Sequence, residues 1–243
     1  MFCDYDGTLA PLRVPRFRSK VPLSLSRVLF RIHERVPVAV VTAKDYTFIR
    51  NRTPFVDAWS CVYGVETVVK GGVRRVVYEP RDLSTAVTVV EGAQPKPRIE
   101  FKKTSMGDLC GFCAEWSPGS APSRLVMDDI IFKIRRLGFQ VLHGSLYPMF
   151  DVTLGTGDKG MAVKTLQTML GIRGGLMFVG DSPADNPAFA VARVGIGVSD
   201  GGRQPRLKCD YMVTRNRLAH FFAALLENNL EFSEELPWIV RRK

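Results

Sequence analysis

The sequence is poor in cysteine and has no long apolar run. Its five cysteines form an odd, scattered set among 243 residues, which favours a reducing compartment over a disulfide framework. Cys110 and Cys113 have the spacing of metal ligands, but no second pair or nearby histidine completes a tetrahedral site, so packing thiols are favoured. The sequence shows neither the roughly 18 consecutive apolar residues of a membrane span nor the pattern of a secretory signal. We expect a cytoplasmic protein with no membrane partner.

Acidic residues are also in the minority. The chain has 34 lysines and arginines against 24 aspartates and glutamates, which gives a formal net charge of +10. Such a surplus attracts anions, from small phosphorylated metabolites to nucleic acids. The basic residues are spread along the chain, and no basic tract is interleaved with aromatic residues. We therefore predict a small anionic substrate and no nucleic-acid partner. A nucleic-acid-binding protein remains the alternative, which salt-dependent retention on DNA or RNA would test.

The most informative motif is Asp4-Tyr5-Asp6-Gly7-Thr8, which follows three apolar residues. At the end of a strand, side chains two positions apart share a face, so Asp4 and Asp6 can converge on one group. Gly7 allows backbone N–H groups to approach an anion closely. In phosphate chemistry Asp4 is suited to attack phosphorus, and Asp6 to handle the proton of the leaving oxygen. Taken alone, the segment also fits an Asp-Gly turn after a strand.

Three further segments place a polar side chain at the end of a buried element. Thr42 follows the β-branched apolar run of residues 37–41. Lys159 lies near the start of an amphipathic stretch over residues 161–170, and a helix N-terminus favours anions. Asp181 follows the apolar residues 176–180, and Asp185 comes four positions later. Because open parallel sheets bind ligands at the carboxyl ends of their strands, we predict that these side chains meet in one crevice.

Together these residues resemble the four motifs of haloacid dehalogenase superfamily phosphatases, in the branch whose α/β cap is inserted before the lysine motif. The resemblance covers residues 1 to about 215. It implies an aspartyl-phosphate mechanism with Asp4 as nucleophile and Asp6 as acid/base. Thr42 matches the second motif, Lys159 the third, and Asp181 with Asp185 the acidic fourth. The string over residues 4–12 is similar to the opening of trehalose-6-phosphate phosphatases.

The resemblance also implies two sets of ligands. The phosphate would be held by Gly7, Thr42, Ala43 and Lys159. A Mg²⁺ cofactor would be bound at Asp4, the main-chain carbonyl of Asp6, Asp181 and Asp185. Within this metal site, Asp185 is expected to orient Asp181 or a metal-bound water rather than to bind directly.

The sequence departs from the family's pattern in two places. Ala43-Lys44 stands where Gly-Arg is common, so a positive charge remains for the substrate but bidentate contact to phosphate is lost. Ala184 stands where an asparagine is common, with Asn186 nearby. Because alanine has no side-chain amide, we expect no amide contact to the substrate from that position.

The periodicity predicts an α/β fold, and the resemblance implies a Rossmann-like doubly wound parallel sheet core with an inserted α+β cap domain. Strand and helix patterns alternate through residues 1–78 and 155–243, which form the predicted core domain. Residues 79–154 have the pattern helix-strand-strand twice over, and form the predicted cap domain. They lie between the second and third motifs, where the family inserts its cap.

Substrate choice is expected to depend on this cap. Glu100 and Lys102 share one face of a predicted strand, and Glu115 belongs to the next strand. The Glu-x-Lys pattern is similar to the cap strand that contacts sugar hydroxyls in trehalose-phosphate phosphatases. A solvated sheet face fits these residues equally well.

We predict a Mg²⁺-dependent phosphomonoesterase that hydrolyses a sugar phosphate similar to trehalose 6-phosphate. Mannosyl-3-phosphoglycerate, sucrose phosphate and phosphoglycolate are alternative substrates within the same chemistry. A sugar phosphomutase is the alternative of another class, because it returns the phosphoryl group to a sugar and needs an activating bisphosphate. We expect a monomer or a small homo-oligomer.

Overall fold

The computed structural model describes residues 1–12, 14, 16–117, 119–143, 148–200 and 206–242. It divides into two units, one made of Met1–Arg75 with Gly157–Lys243 and the other of Val76–Thr156. The predicted boundaries lay at residues 78/79 and 154/155. Each unit has its own sheet and its own apolar core.

The elements of the described residues follow in chain order. The strands are β1 (Phe2–Cys3), β2 (Ala39–Val41), β3 (Ala58–Cys61), β4 (Glu66–Val69), β5 (Arg74–Val76), β6 (Arg98–Lys103), β7 (Leu109–Glu115), β8 (Gln140–His143), β9 (Met149–Thr153), β10 (Met177–Gly180), β11 (Val194–Ser199), β12 (Tyr211–Thr214) and β13 (Ile239–Arg241). The α-helices are α1 (Leu23–His33), α2 (Tyr46–Ile49), α3 (Ser84–Glu91), α4 (Arg124–Arg136), α5 (Lys159–Met169), α6 (Asn186–Phe189) and α7 (Leu218–Glu227).

The first unit is built on one sheet with the strand order β13-β12-β11-β10-β1-β2-β3-β4-β5. From β12 to β3 neighbouring strands are parallel, whereas β13 and β4 run antiparallel to the strands they pair with. The central strands are apolar and buried on both faces, as parallel strands between helices must be. This arrangement confirms the predicted Rossmann-like core.

Helix α5 is fixed to the sheet by an apolar face. Val163 and Leu166 are fully buried in one cluster with Phe2 and Phe178 of the two central strands. Burial of a side chain of this size contributes about 1.5–3 kcal/mol. The side chain of Asp158 caps the helix by accepting a hydrogen bond of 2.8 Å from the backbone N–H of Met161. The cap and the apolar face together fix the position of Lys159, the first residue of α5.

Two details of the core differ from the sequence pattern. The apolar run predicts a strand as far as Tyr63, but β3 ends at Cys61 because Val62 and Tyr63 adopt φ values of 49° and 57°. Their N–H groups donate to the carbonyls of Lys44 and Thr42, both at 3.2 Å. The second detail is β13, an unpredicted edge strand of three residues, which is too short to show a strand pattern.

The second unit is an antiparallel sheet with strand order β6-β7-β9-β8, backed by α3 and α4. Phe112, Phe150 and Val152 point to the helices and are fully buried among them. The alternate residues lie on the other face, where Cys113 pairs in register with Glu100 on one side and Asp151 on the other. This α+β unit confirms the predicted fold class of the insertion.

No helix in the described part of the chain is long and apolar enough to cross a bilayer.

Candidate active site

Three neighbouring strands each end in a predicted site residue. β1 lies between β10 and β2, and all three run parallel. Asp4 directly follows β1, Thr42 follows β2 and Asp181 follows β10. The N–H of Asp4 donates a hydrogen bond of 2.8 Å to the carbonyl of Val179, so the pairing of β1 with β10 extends as far as Asp4. The sheet therefore brings the three residues to one edge, as the sequence predicted.

Lys159 connects two of the acidic residues. The residue is 3% exposed, and its ammonium lies 2.6 Å from Asp4 Oδ1 and 2.7 Å from Asp185 Oδ1. Such short charge-assisted hydrogen bonds between buried groups are strong and directional. They fix the Asp4 carboxylate from the side of α5.

Asp185 holds the loop that follows β10. Its Oδ2 accepts hydrogen bonds from the N–H of Asp181 at 3.1 Å, the N–H of Ser182 at 2.9 Å and the hydroxyl of Ser182 at 3.1 Å. Asp185 is fully buried in the short turn Pro183–Asp185. With Lys159 on its other oxygen, this carboxylate joins the loop to α5.

Asp181 is positioned from the first motif. The hydroxyl of Thr8 donates to Asp181 Oδ1 at 3.2 Å. Gly7, at φ 84°, lies so close that a Cβ on it would overlap the Asp181 carboxylate. Oxygens of Asp4, Asp181 and Asp185 all lie within 4.8 Å of one another.

Burial dominates the electrostatics of this cluster. It raises the pKa of Asp4 to about 7, and the nearby charge of Asp185 adds to the rise while Lys159 opposes it. Burial, followed by the charges of Asp4 and Asp185, also raises the pKa of Asp181 well above its usual value. For Lys159 burial lowers the pKa, but Asp185 and Asp4 outweigh burial and raise it overall. Three carboxylates thus share a buried site with one ammonium, which leaves negative charge for a cation to neutralise.

Asp6 has different neighbours. Its side chain is 30% exposed; Oδ2 lies 3.5 Å from the Lys44 ammonium, and Oδ1 accepts a hydrogen bond of 3.4 Å from Ser19 Oγ. Lys44 in turn donates its N–H to Thr42 Oγ1 at 3.1 Å, so the second motif and Asp6 are linked through Lys44. The N–H of Gly7 donates to the carbonyl of Ala10 at 2.8 Å.

The predicted substrate residues of the insertion lie in the second unit. Lys102 is 5% exposed and forms an ion pair with Asp151 on the face of the sheet away from α3 and α4. Arg98 contacts Glu115 at 2.9 Å and Glu100 at 3.7 Å. The structure therefore supplies each of these three side chains with a charged partner inside its own unit.

Sequence reasoning missed three hydroxyls that hold the acidic residues. Thr8 belongs to the first motif, and its position after Gly7 was a usable signal. Ser182 begins the pattern Ser-x-x-Asp with Asp185, which is a recognisable capping signal. Ser19 has no such signal, because only the path of the chain after the first motif brings it to Asp6.

The fold has well-defined relatives among solved structures. One is described as a trehalose-6-phosphate phosphatase related protein, with a TM-score of 0.66, 18% identity, and coverage of 94% of this chain and 97% of that one. The C-terminal domain of trehalose-6-phosphate phosphatase from C. albicans gives a TM-score of 0.75 at 14% identity, with 95% and 92% covered. A sugar phosphatase of haloacid dehalogenase (HAD) subclass IIB gives 0.65 at 16% identity, with 95% and 98% covered.

No protein-family model and no curated protein matches the sequence. The similarity therefore lies in the fold, and it extends over 94–95% of this chain. This confirms the fold that the resemblance implied.

Proposed function

We propose that the protein is a phosphatase that hydrolyses the phosphate monoester of a sugar or a related polyol. The observation that supports it best is the buried contact of Asp4 with Lys159, at the edge of the sheet that also carries Asp181. A nucleophilic carboxylate next to a fixed ammonium can meet an anionic phosphate, because the ammonium offsets part of the charge repulsion.

The reaction takes place in two steps on this chain's residues. Asp4 attacks phosphorus while Asp6 gives a proton to the leaving sugar oxygen, which produces an aspartyl phosphate and a free sugar. Asp6, now ionised, then takes a proton from the water that attacks phosphorus. The bond between phosphorus and the Asp4 oxygen breaks, which releases inorganic phosphate and regenerates Asp4. Thr42 and Lys159 hold the phosphoryl oxygens in line during both steps.

The acidic cluster fits a Mg²⁺ ion. Its donors are carboxylate oxygens, which hard cations prefer, and their mutual distances of up to 4.8 Å suit one shared ion. Asp4, the carbonyl of Asp6 and Asp181 would hold the ion. Asp185 would orient the site, since Lys159 and three donors of the β10 loop already occupy its oxygens. The bound ion would offset the charge of Asp4 and of the phosphate dianion.

We further propose that the polar face of the second sheet carries substrate specificity. Glu100 and Lys102 lie on that face, and Glu115 lies on the same face of the neighbouring strand. These side chains offer carboxylate acceptors and an ammonium donor, which suit the hydroxyls of a polyol. A trehalose 6-phosphate-like sugar phosphate is the substrate we favour.

A phosphate-release screen tests the proposal. The panel contains trehalose 6-phosphate, sucrose phosphate, mannosyl-3-phosphoglycerate, phosphoglycolate and simple hexose phosphates, each with Mg²⁺ and with EDTA. We expect stoichiometric inorganic phosphate from at least one sugar phosphate, with Mg²⁺ only, and none from Asp4→Asn prepared in parallel. Transfer of the phosphoryl group back to a sugar would instead indicate the mutase. Full activity of Asp4→Asn would remove Asp4 from the nucleophile's role.

A further inference from the structure

The carboxylate of Asp6 is held on both of its oxygens by residues outside the acidic cluster. Ser19 Oγ lies 3.4 Å from Oδ1, and Lys44 Nζ lies 3.5 Å from Oδ2. An aspartate that is 30% exposed and precedes a glycine turn would otherwise be free to change rotamer. These two contacts therefore select one orientation of the side chain.

Ser19 is itself firmly anchored. It is 4% exposed, and its carbonyl accepts hydrogen bonds from the buried hydroxyl of Tyr5 at 2.7 Å and from Arg52 Nε at 3.2 Å. Arg52 also donates to the carbonyl of Phe48 at 2.8 Å, and its guanidinium lies 3.9 Å from the centre of the Phe48 ring. Because Tyr5 precedes Asp6 in the chain, Ser19 is tied to the backbone of the motif whose carboxylate it contacts.

Lys44 is anchored in the same region. Its N–H donates to Thr42 Oγ1 at 3.1 Å, and its carbonyl accepts from Val62 in the positive-φ turn after β3. Its ammonium lies 5.5 Å from the centre of the Phe48 ring. The Phe48 ring thus lies next to the cations of both Lys44 and Arg52. Lys44 contacts Asp6 directly and Arg52 holds Ser19, so both contacts of Asp6 depend on packing against Phe48.

The chemistry of the two supports matches what an acid/base residue needs. A hydroxyl can donate to an ionised carboxylate and can accept from a protonated one, so Ser19 can follow Asp6 through both protonation states. An ammonium keeps the ionised carboxylate in place between the two steps. Each contact occupies one oxygen and leaves lone pairs for the leaving group or the water.

We infer that Ser19 and Lys44 are positioning residues that aim Asp6 at the leaving oxygen, an inference that rests on the proposed function. They act through Asp6 and not through the nucleophile. Their removal therefore harms reactions that need a proton on the leaving group and spares reactions that do not.

The test compares two leaving groups in the full-length protein with Mg²⁺. The first substrate is the sugar phosphate that the wild type hydrolyses best, whose alkoxide needs a proton. The second is 4-nitrophenyl phosphate, whose phenolate leaves without one. The quantity measured is kcat/KM, because it covers the steps up to departure of the leaving group. The variants are Ser19→Ala and Lys44→Met, with Ser19→Thr and Lys44→Arg as conservative replacements.

General acid catalysis contributes about 10²–10⁴-fold, so misaiming Asp6 should lower kcat/KM for the sugar phosphate by roughly tenfold or more. For Ser19→Ala we expect kcat/KM on 4-nitrophenyl phosphate to change by less than about twofold, and for Lys44→Met we expect it to fall by a smaller factor than on the sugar phosphate. The conservative variants should recover most of the loss. Ser24→Ala and Lys164→Met are matched controls at exposed positions of the same unit, and should behave as the wild type. Thermal melts of all variants check that each is folded.

Equal losses on the two substrates would overturn the inference, because the residues would then act on the phosphoryl group or on the fold. Unchanged rates on both substrates would overturn it as well. In either case the wild type would still release phosphate in an Asp4-dependent way, so the proposed function would stand. Absence of that release from every substrate would instead overturn the proposed function, and this inference with it.

Discussion

Gly7 and Asp181 are in such close contact that a Cβ on Gly7 would overlap the Asp181 carboxylate, so a side chain at this position must displace that carboxylate. Gly7 of the first motif thus leaves room for the Asp181 carboxylate of the fourth motif, although the two residues are far apart in the chain. At φ 84° it also occupies the left-handed region that other residues avoid.

We predict that Gly7→Ala displaces Asp181 and lowers phosphatase activity at least about tenfold, since a small shift of a catalytic group has such effects. The matched control is Gly71→Ala. Gly71 has φ 100°, but a Cβ there would meet no atom within 4 Å. Gly71→Ala therefore introduces the same kind of backbone strain without a steric overlap. The measurements are kcat/KM and the dependence of activity on Mg²⁺ concentration. If Gly7→Ala and Gly71→Ala had the same kcat/KM and the same Mg²⁺ dependence, the close contact of Gly7 with Asp181 would have no effect on activity.

The raised pKa of Asp4 predicts how stability depends on pH without metal. A carboxyl whose pKa is about 7 when folded and about 4 when unfolded binds its proton more tightly in the folded state. Its contribution to stability is complete below the unfolded pKa and is lost as the pH rises through about 7. In EDTA, the thermal midpoint should fall more for the wild type than for Asp4→Asn as the pH rises from about 4 to about 7, and Mg²⁺ should remove the difference. If the thermal midpoints of the wild type and Asp4→Asn changed in parallel with pH, the raised pKa of Asp4 would not explain the loss of stability.

We predict that replacement of Asp185 lowers both the free energy of unfolding and the phosphatase activity. Asp185→Ala removes one of the two carboxylate partners of the buried Lys159 ammonium and the acceptor of the loop after β10, so we expect a loss of about 3 kcal/mol in the free energy of unfolding. Asp200→Ala is the control, because it breaks the exposed ion pair with Arg215 and should cost less than about 1 kcal/mol. Urea unfolding of the two variants measures the difference. A similar small loss for both would show that the buried network contributes little.

The insertion offers a test of substrate specificity. Lys102→Met alone leaves the buried Asp151 without that partner, so we pair it with Asp151→Leu, which replaces the buried ion pair by packed apolar side chains. We expect the double variant to fold and to have a higher KM for the sugar phosphate, with unchanged KM for 4-nitrophenyl phosphate. An unchanged KM for both substrates would assign Lys102 to structure alone.

Much of the core was predictable because its signals are local. Apolar runs such as residues 37–41 and 176–180 become parallel strands since their side chains suit burial on both faces, and the helix signal after Asp158 is a cap followed by an amphipathic pattern. The early end of β3 was not predictable. Val62 is β-branched and adopts φ 49° only because the loop after β2 accepts its N–H.

The amino-acid sequence by itself determined which chemical groups stand at the ends of which elements: carboxylates at Asp4, Asp6 and Asp181, a hydroxyl at Thr42 and an ammonium at Lys159. These positions follow from residue type and from strand and helix patterns, which are properties of short segments. Only the tertiary structure decided which groups touch, such as Lys159 with Asp185, Gly7 with Asp181 and Ser19 with Asp6. Such contacts join distant segments, and they depend on how the sheet and its loops pack rather than on any pattern that a short window of sequence contains.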